Sequence, residues 1–443
     1  KTDPGMTKSA SEDGFNSFPM PPTSARARSS SAIPSSARGD EIKVPPLKLA
    51  ELYRLREQCC SKEKISKEAV GRHLWGGASG AWRVSGELPR NAFGCESWSE
   101  EAFHDRSLGL QPRGTMHSAE DLLKQRGAWV QCSKGRKGLG DTVLGQDDVC
   151  IARLDGGWEL FAVFDGHGPG GHWPSTRASQ TLPVFLQTGD CAVLVKQGRM
   201  DAALIRAFDK VQEDLDRESW PPGHIKPAAN LLFCGCTAVC ALWHPSKRSL
   251  WLANLGDSRA ALLVPGRGAV KETNDHKPTV LAEAERLQRL GCEVRVQEHP
   301  DQMQEHRVYV VGKGYPGLMM TRSLGDLVVK NNGVIATPEV FEWTLDDYRG
   351  SWLLLASDGI WEFISCAKAA EQIFGWLAEG LSASEVVQRL VVSAREMWAS
   401  EEQDYCDDIS AVLVPLDGPA LQPVHQPESG SCSSGFCTAC AVQ

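Results

Sequence analysis

From about residue 129 onward, short apolar runs alternate with turns that contain glycine or proline. Six of these runs are predicted to be strands: Val149–Leu154, Trp158–Phe164, Thr237–Trp243, Leu250–Leu255, Trp352–Ala356 and Ile409–Val414. Asp155-Gly156-Gly157 lies between the first two runs, and His244-Pro245-Ser246 lies between the next two. Each of these two pairs is therefore predicted to form a β-hairpin.

Five segments are predicted to be helices: Thr176–Leu186, Asp201–Arg217, Glu283–Leu290, Ala367–Ala378 and Ser384–Trp398. In the second of them, one face carries the apolar residues Leu204, Ile205, Phe208, Val211 and Leu215. Gly291 is placed to end the third helix, and Ser382 with Glu385 predicts a capping box at the start of the last. Because the helices fall in pairs between hairpins, we expect an α+β fold with antiparallel sheets rather than a βαβ repeat.

The two ends of the chain differ in composition from the middle. Residues 1–44 form a Ser/Pro-rich tail that we expect to be disordered, because it lacks apolar periodicity. Residues 45–128 form an N-terminal extension of unassigned role, in which Leu47–Arg72 is predicted to hold a short amphipathic helix. Residues 417–443 form a flexible C-terminal tail, so that 129–416 is the expected folded domain.

Composition and charge bear on whether the chain binds nucleic acid, spans a membrane or is secreted. The chain has 443 residues, is 42% hydrophobic and carries a net charge of −9, and it contains no long basic run, so a dedicated nucleic-acid binder is not expected. No stretch approaches 18 apolar residues, so we expect no transmembrane helix. Many of the 15 cysteines, such as Cys150, Cys236 and Cys240, lie inside apolar runs. They suggest reduced thiols and hence an intracellular protein. We expect a monomer in the cytoplasm, with nuclear or membrane association left open.

Aspartates lie at the ends of the apolar runs. Asp165 follows one run and Asp358 follows another after a single serine, while Asp147 and Asp407 each come just before a run. Carboxylates are poor strand residues, and burying one without a partner is costly. Strand ends that converge would instead place these oxygens around hard divalent cations. The pattern therefore predicts the binuclear metal centre of a hydrolase.

Gly166 and His167 directly follow Asp165. A glycine lets its backbone carbonyl approach a metal ion closely, because no Cβ intervenes. A histidine beside the ions could protonate a leaving alkoxide. The alternative interpretation of this segment is a tight turn in which the aspartate and histidine have no catalytic role.

A series of collinear motifs strengthens the catalytic interpretation. The motifs are Gly145-Gln146-Asp147-Asp148, Phe164-Asp165-Gly166-His167-Gly168, Gly235-Cys236-Thr237-Ala238, Ala253-Asn254-Leu255-Gly256-Asp257-Ser258-Arg259-Ala260, Asp275-His276-Lys277-Pro278, Gly317-Leu318-Met319-Met320-Thr321-Arg322-Ser323-Leu324-Gly325-Asp326, Thr337-Pro338-Glu339-Val340, Ala356-Ser357-Asp358-Gly359-Ile360-Trp361 and Asp407-Asp408-Ile409-Ser410. In order and spacing they resemble the metal-dependent serine/threonine protein phosphatases of the type 2C or PPM family, over roughly residues 129–416.

The resemblance implies an antiparallel β-sandwich flanked by pairs of helices, with the binuclear site at one end of the sandwich. It also implies two Mn²⁺ or Mg²⁺ ions that share Asp165 and a bridging water, with phosphorylated proteins as substrates. Asp358 and Asp407 would complete the coordination of one ion, and the Gly166 carbonyl would help to coordinate the other. Asp147 would act at the metal cluster through water. His167 would protonate the departing serine or threonine oxygen. Asp257 matches a position that can hold a third, weaker ion.

Several positions depart from the family pattern. Gly145 replaces the usual asparagine, Cys236 replaces a serine, and Glu362 replaces the commoner aspartate near the third ion. In the family, the arginine that binds phosphate normally lies just before the first acidic motif, and here that interval is stretched. Arg136 and Lys137 are the candidates, and a solvated basic turn is the alternative. Residues 292–316, which follow a hinge-like Asp275-His276-Lys277-Pro278, are expected to form the family's flap near the active site.

The C-terminal tail carries a lipidation motif. Cys440-Ala441-Val442-Gln443 fits a prenylation signal, with glutamine favouring a farnesyl group, and Cys432 and Cys437 are candidates for palmitoylation. These lipids would attach the protein peripherally to a membrane. A tail of small residues with chance cysteines is the alternative.

We therefore expect a protein serine/threonine phosphatase that uses a metal-activated bridging water. A catalytically impaired pseudophosphatase that serves as a binding module is the main alternative. A metal-dependent phosphodiesterase or other ester hydrolase is a third. Cysteine phosphatases and P-loop enzymes are not expected, because the chain has no His-Cys pair and no Gly-Lys-Ser/Thr loop.

Overall fold

The computed structural model describes residues 83–84, 105–106, 109–110, 126–137, 145–187, 189–218, 232–298, 304–402 and 405–419. The predicted N-terminal tail, the predicted helix Leu47–Arg72 and most of the extension 45–128 lie outside these residues. The candidate lipidation residues Cys432, Cys437 and Cys440 also lie outside them.

The described residues contain twenty-one strands and seven α-helices. The strands are β1 Arg83–Val84, β2 Asp105–Arg106, β3 Gly109–Leu110, β4 Trp129–Ser133, β5 Arg136–Lys137, β6 Asp148–Arg153, β7 Glu159–Phe164, β8 Gly166–His167, β9 Gly235–Cys236, β10 Ala238–His244, β11 Ser249–Leu255, β12 Arg259–Val264, β13 Gly268–Glu272, β14 Cys292–Glu298, β15 Gln304–Val310, β16 Pro316–Leu318, β17 Leu324–Gly325, β18 Glu339–Thr344, β19 Trp352–Ala356, β20 Tyr405–Cys406 and β21 Ile409–Pro415. The helices are α1 His172–Gln187, α2 Gly189–Lys196, α3 Met200–Glu218, α4 Leu281–Leu290, α5 Asp358–Trp361, α6 Cys366–Ala378 and α7 Ala383–Glu401.

Two antiparallel sheets form the centre of the fold. The five-stranded sheet has the order β18-β11-β10-β7-β6, and the six-stranded sheet has the order β13-β12-β19-β21-β4-β2. Val163 in β7 lies opposite Val149 in β6 and Val239 in β10, so branched side chains pair across neighbouring strands. The two predicted hairpins and the predicted α+β class with antiparallel sheets are confirmed.

Successive side chains of β7 point to opposite faces of the five-stranded sheet, and this explains the layers of the fold. Phe161 and Val163 point into the core between the two sheets, where they join side chains of the six-stranded sheet such as Leu354. Ala162 and Phe164 point to the opposite face and pack against α1 and α3. Helices α6 and α7 cover the outer face of the six-stranded sheet. Burying each large apolar side chain contributes about 1.5–3 kcal/mol, so both faces of this strand hold layers together.

The helices differ from their predictions mainly at their ends. Helix α1 begins at His172, four residues before the predicted start, and α2 has no counterpart in the prediction. Ile205 was predicted on the apolar face of α3, and this is wrong, since the residue is 36% exposed. Gly291 ends α4 with a φ of 100°, and Ser382 and Glu385 form the predicted capping box.

A small third sheet lies in the region predicted to form a flap. Strands β14, β15 and β16 pair in that order, with Val294 opposite Val308. The sheet packs on α4 around a small apolar core that includes Leu287, Cys292 and Leu318. In the part of the chain that the structure describes, no helix is long and apolar enough to cross a membrane.

Candidate active site

The aspartates predicted to bind metal lie at one end of the sandwich. Asp147 comes directly before β6 and Asp165 directly after β7, in the five-stranded sheet. Asp358 follows β19 after Ser357, and Asp407 comes shortly before β21, in the six-stranded sheet. Antiparallel order places the end of one strand beside the start of its neighbour, so both sheets contribute carboxylates to the same place.

The charges of these carboxylates act on one another. Burial raises the pKa of Asp165 well above its ordinary value, and the neighbouring carboxylates of Asp358, Asp147 and Asp407 raise it further. Burial likewise raises the pKa of Asp358, with Asp407 and Asp257 adding to the effect. The pKa of Asp147 rises to about 7 through burial and the charges of Asp408 and Asp407. Such a cluster of like charges is stabilised by bound cations.

Two buried hydroxyl groups hold the cluster in place. Ser357 donates from Oγ to Asp147 Oδ2 over 2.9 Å and accepts a hydrogen bond from the backbone N–H of Ser410 over 3.0 Å. The backbone N–H of Thr237 donates to the carbonyl of Asp165 over 2.8 Å. The Thr237 hydroxyl lies 3.4 Å from the Asp165 nitrogen and 2.6 Å from Ser258 Oγ. The backbone at both strand ends is therefore fixed.

Lys137, one of the two candidate phosphate-binding residues, contacts Asp407. Strand β5 pairs with β20, which places Lys137 opposite Tyr405 and Arg136 opposite Cys406. The Lys137 ammonium donates to Asp407 and, over 3.2 Å, to the hydroxyl of Tyr405. Burial would lower the pKa of Lys137, but the charges of Asp407 and Asp408 outweigh burial and hold that pKa well above its ordinary value. Arg136 is buried beside it.

Asp257 lies at the same end of the sandwich, between β11 and β12. Its Oδ2 accepts a hydrogen bond of 2.5 Å from Lys277, the lysine of the predicted hinge motif. Burial lowers the pKa of Lys277, whereas the carboxylates of Asp257 and Asp358 raise it. The effect of the carboxylates is larger, so Lys277 stays charged. Burial raises the pKa of nearby Glu362, and the positive charge of Lys277 partly offsets this increase. A third ion would therefore compete with a lysine for Asp257.

Gly166 and His167 belong to a small sheet of two-residue strands. Strand β8 pairs with β9, and β9 pairs with β17, so His167 lies opposite Gly235. A Cβ on Gly166 would lie 2.3 Å from the carbonyl oxygen of Gly171, so only glycine fits there. His167 Nε2 lies 2.7 Å from Oδ2 of Asp326, the residue that follows β17.

The chemistry of the donors fits hard divalent cations. Among the described residues, Asp147, Asp257 and Asp358 each have one buried carboxylate oxygen that accepts no hydrogen bond. Oxygen atoms in this state are the ligands that Mg²⁺ and Mn²⁺ prefer. No three His, Cys, Asp or Glu side chains of the described chain are already arranged as a complete metal shell, and Lys137 and Lys277 lie among the carboxylates. Ion binding would therefore require local movement of these side chains.

Sequence reasoning missed three residues that support the site. Asp408 accepts hydrogen bonds from the backbone N–H groups of Gly135 and Gln146, over 2.6 and 2.5 Å, and so fixes the basic loop to the first acidic motif. Ser357 and Asp326 were quoted in motifs but were given no role. The available signals were that Ser357 directly precedes Asp358 and that Asp326 ends a Gly-Asp pair. Neither signal shows which residue the side chain would hydrogen-bond.

Comparisons with known proteins agree with this geometry. The sequence model of the family described as Protein phosphatase 2C matches residues 126–402. Probable protein phosphatase 2C 64 from Oryza sativa subsp. japonica is 32% identical over 326 residues, which cover 72% of this chain and 71% of the relative. Probable protein phosphatase 2C 1 from Arabidopsis thaliana is 30% identical over 376 residues, which cover 73% of this chain and 77% of the relative.

Among solved structures, a serine-threonine phosphatase 2C from Toxoplasma gondii superposes with a TM-score of 0.52 at 20% identity. The match covers 65% of this chain and 94% of that chain, and it supports the shared fold. The family match spans more than half of the present chain and includes Asp147, Asp165, Asp257 and Asp358. This chain therefore belongs to the protein phosphatase 2C family of metal-dependent protein serine/threonine phosphatases.

Proposed function

We propose that this protein hydrolyses phosphoserine and phosphothreonine in protein substrates at the acidic end of the sandwich. The observation that carries the proposal is the set of carboxylates Asp147, Asp165, Asp358 and Asp407, which come from both sheets. Burial and the charges of neighbouring carboxylates raise the pKa of Asp147, Asp165 and Asp358. Such a cluster is costly to fold unless it holds cations. Family membership adds the expected reaction.

Two Mn²⁺ or Mg²⁺ ions fit this donor set. Asp165 and Asp358 would hold them together with Asp147, Asp407 and the carbonyl of Gly166. When bound, such ions would lower the pKa of a coordinated water and neutralise charge on the phosphoryl group. Asp257 would hold a third ion weakly, because Lys277 already donates to its carboxylate.

Side chains of the chain itself supply the remaining functions. Lys137 or the neighbouring Arg136 would orient the phosphoryl group, the arginine through two parallel hydrogen bonds and the lysine as a point charge. His167 would hold the proton that the departing serine or threonine oxygen needs. The side chain of His167 is only 19% exposed, which limits the access of water to that proton.

Phosphate release from a phosphothreonine peptide tests the proposal. The native chain should release phosphate with Mn²⁺ and not with chelator, and Asp165→Asn should lower the rate by at least about 1000-fold, since it removes a charge from the cluster. Asp201→Asn, at an exposed site on α3, is the matched control and should keep the native rate.

Three other results would contradict the proposal. A folded native chain that releases no phosphate with any divalent ion would favour the pseudophosphatase, in which the same fold serves as a binding module. Faster turnover of a phosphodiester than of the phosphopeptide would favour the third class of ester hydrolase. Equal rates for native protein and Asp165→Asn would place the reaction elsewhere in the chain.

A further inference from the structure

A hydrogen-bond network links His167 to Asp326, Ser323 and Lys330. Asp326 Oδ2 lies 2.7 Å from His167 Nε2 and accepts a hydrogen bond of 2.5 Å from Ser323 Oγ. Lys330 Nζ donates to Ser323 Oγ over 2.9 Å and to the Ser323 carbonyl over 2.6 Å. The side chain of Asp326 is fully buried, so these neighbours, and not water, determine where its carboxylate points.

The backbone around this network is built to bring the two residues together. Asp326 has a φ of 46°, in the left-handed region that non-glycine residues rarely occupy. A Cβ on Gly235 would lie 2.1 Å from Asp326 Oδ2 and 2.6 Å from His167 Nε2, so Gly235 packs directly on the contact. Strain and close packing of this kind persist only where the surrounding structure imposes them, and they cluster at functional sites.

The charge state of Asp326 agrees with a partner role. Burial would raise the pKa of the Asp326 carboxyl, but His167, Lys330 and Ser323 together outweigh burial and hold that pKa below its ordinary value. Lys330 is half-buried, and desolvation lowers its pKa to about 8 although Asp326 opposes the shift. The Asp326 carboxylate contacts His167 and Ser323 through Oδ2, and its Oδ1 is buried with no hydrogen-bond partner among the described residues. Buried carboxylates that stay charged in this way are found preferentially at functional sites.

We propose that Asp326 is a positioning residue for the reaction, which fixes the His167 ring through Nε2 so that Nδ1 delivers the proton to the departing oxygen. Nδ1 is buried and has no hydrogen-bond partner among the described residues, so the departing oxygen reaches it only after local movement of the side chains around it. Ser323 fixes the carboxylate of Asp326 by donating a hydrogen bond to it, and Lys330 in turn donates to Ser323. This inference rests on the proposed function and assigns a role to residues outside the metal cluster.

The proton and electron balance of the step follows from this geometry. Water oxygen forms a new bond to phosphorus and carries its two protons into the product phosphate, and the bond between phosphorus and the serine or threonine oxygen breaks. The electron pair of the broken bond remains on that oxygen, which takes the proton from Nδ1 of the doubly protonated ring. His167 is left neutral with its proton on Nε2, the tautomer in which Nε2–H donates to Asp326.

Two substrates with different leaving groups test the role of Asp326. A phosphothreonine peptide loses an alkoxide that must be protonated, whereas p-nitrophenyl phosphate loses a stable anion that needs no proton. We expect Asp326→Asn to lower kcat for the peptide by about 100-fold, the typical contribution of a positioned general acid, and kcat for p-nitrophenyl phosphate by less than about fivefold. The Mn²⁺ concentration for half-maximal activity and the KM for the peptide should stay within about twofold, because neither ligand contacts Asp326.

Asp214→Asn is the matched control, since Asp214 is also buried and pairs with Arg177 between α1 and α3. It should affect both substrates by the same factor. His167→Gln should reproduce the leaving-group pattern, and the double variant His167→Gln with Asp326→Asn should lose no further activity on the peptide. Asparagine tolerates a positive φ, so Asp326→Asn should fold. Ser323→Ala, which removes only the hydrogen bond to Asp326, should show the same pattern at about fivefold and carries the test if Asp326→Asn does not fold.

Equal losses on both substrates in Asp326→Asn and Ser323→Ala, or peptide turnover within threefold of native in either variant, would overturn the positioning role while leaving the phosphatase proposal intact. A native chain inactive on both substrates would overturn both proposals. A raised Mn²⁺ requirement in Asp326→Asn without a leaving-group effect would assign Asp326 to the metal cluster and would also overturn the inference.

Discussion

Ser357 Oγ donates a hydrogen bond of 2.9 Å to Asp147 Oδ2, across 210 residues of sequence and between the two sheets of the sandwich. Ser357 follows β19 in the six-stranded sheet, and Asp147 precedes β6 in the five-stranded sheet. The same hydroxyl accepts a hydrogen bond from the backbone N–H of Ser410 over 3.0 Å. A single buried serine therefore fixes one carboxylate of the cluster relative to two strands of the other sheet.

The first prediction concerns this serine. Ser357→Ala should raise the Mn²⁺ concentration for half-maximal activity by about tenfold, which is typical when a partner of a metal ligand is removed. The maximal rate at saturating Mn²⁺ should stay within about threefold. Ser351→Ala is the control, because Ser351 is equally buried at the other end of β19. Metal titrations of phosphate release measure both variants, and an unchanged Mn²⁺ requirement in Ser357→Ala would contradict the prediction.

Lys137 allows a second prediction, because its ammonium lies against Asp407. Lys137→Gln removes a positive charge from the cluster, so the protein should need about threefold to tenfold less Mn²⁺ for half-maximal activity. If Lys137 also binds the phosphoryl group, the KM for a phosphopeptide should rise by about tenfold. Steady-state kinetics at several Mn²⁺ concentrations separate the two effects. A lower Mn²⁺ requirement with unchanged KM would leave Arg136 as the candidate phosphate ligand.

The third prediction concerns pH and the buried His276. Burial lowers its pKa to about 4, with the charge of Arg322 adding to the shift and Glu283 opposing it. The backbone N–H of Gly256 donates to His276 Nδ1 over 3.0 Å, so protonation of that nitrogen would break the hydrogen bond. Nε2 lies 3.5 Å from Glu339. The neutral ring is therefore the form that the fold requires.

The sign of the effect follows from the two pKa values. Between pH 6.5 and 4 the unfolded chain binds a proton at this residue and the folded chain does not, so stability is full above pH 6.5 and falls as pH decreases. Between pH 7 and 5 the loss should be about 2 kcal/mol. His276→Gln keeps an acceptor for Gly256 and should remove this part of the pH dependence. Urea unfolding at several pH values in chelator measures the free energy of unfolding of both proteins. Asp147, whose raised pKa acts in the opposite direction, contributes equally to both proteins, so the difference between them reports His276. Identical pH dependence in both proteins would contradict the assignment.

Glu283 gives the fourth prediction. It is buried on α4 and accepts hydrogen bonds from Arg286 over 2.7 Å and from Arg322 over 2.6 Å, and also from Thr321. These bonds hold the pKa of Glu283 well below its ordinary value although burial opposes them. Glu283→Gln would leave the half-buried Arg286 without this counter-charge and Arg322 with only Glu339, 3.7 Å away, which should lower the free energy of unfolding by about 3 kcal/mol.

Glu285→Gln is the matched control for Glu283→Gln, since Glu285 is exposed on the same helix. It should change the free energy of unfolding by less than about 0.5 kcal/mol. Urea unfolding at pH 7 compares the two variants with the native chain. Similar stability in both variants would show that the ion-pair network around Arg322 contributes little.

Patterns confined to one strand or one helix were readable from the sequence. Strand β19 matches its predicted bounds, because an apolar run ended by a polar residue is a local signal. Strands β12 and β13 were not predicted, since their pairing is visible only when β12 lies beside β19. Ile205 was misplaced because helical spacing defines the direction of a face but not its width.

The same distinction applies to the site. Asp165 and Asp358 stood out because carboxylates are unusual at the ends of apolar runs. The contact between His167 and Asp326 could not be predicted, because it depends on three two-residue strands, far apart in sequence, that meet in one small sheet. Likewise, the donation from Lys137 to Asp407 depends on the pairing of β5 with β20.

Because the acidic cluster draws its carboxylates from both sheets, divalent cations bound there would join the two halves of the sandwich. Ligands that bind only the folded state add about 1.4 kcal/mol to the free energy of unfolding for each tenfold rise in concentration above the dissociation constant. The melting temperature of this protein should therefore rise with free Mn²⁺ even when no substrate is present. Heat resistance would in that way report how much metal the protein has acquired, independently of catalysis.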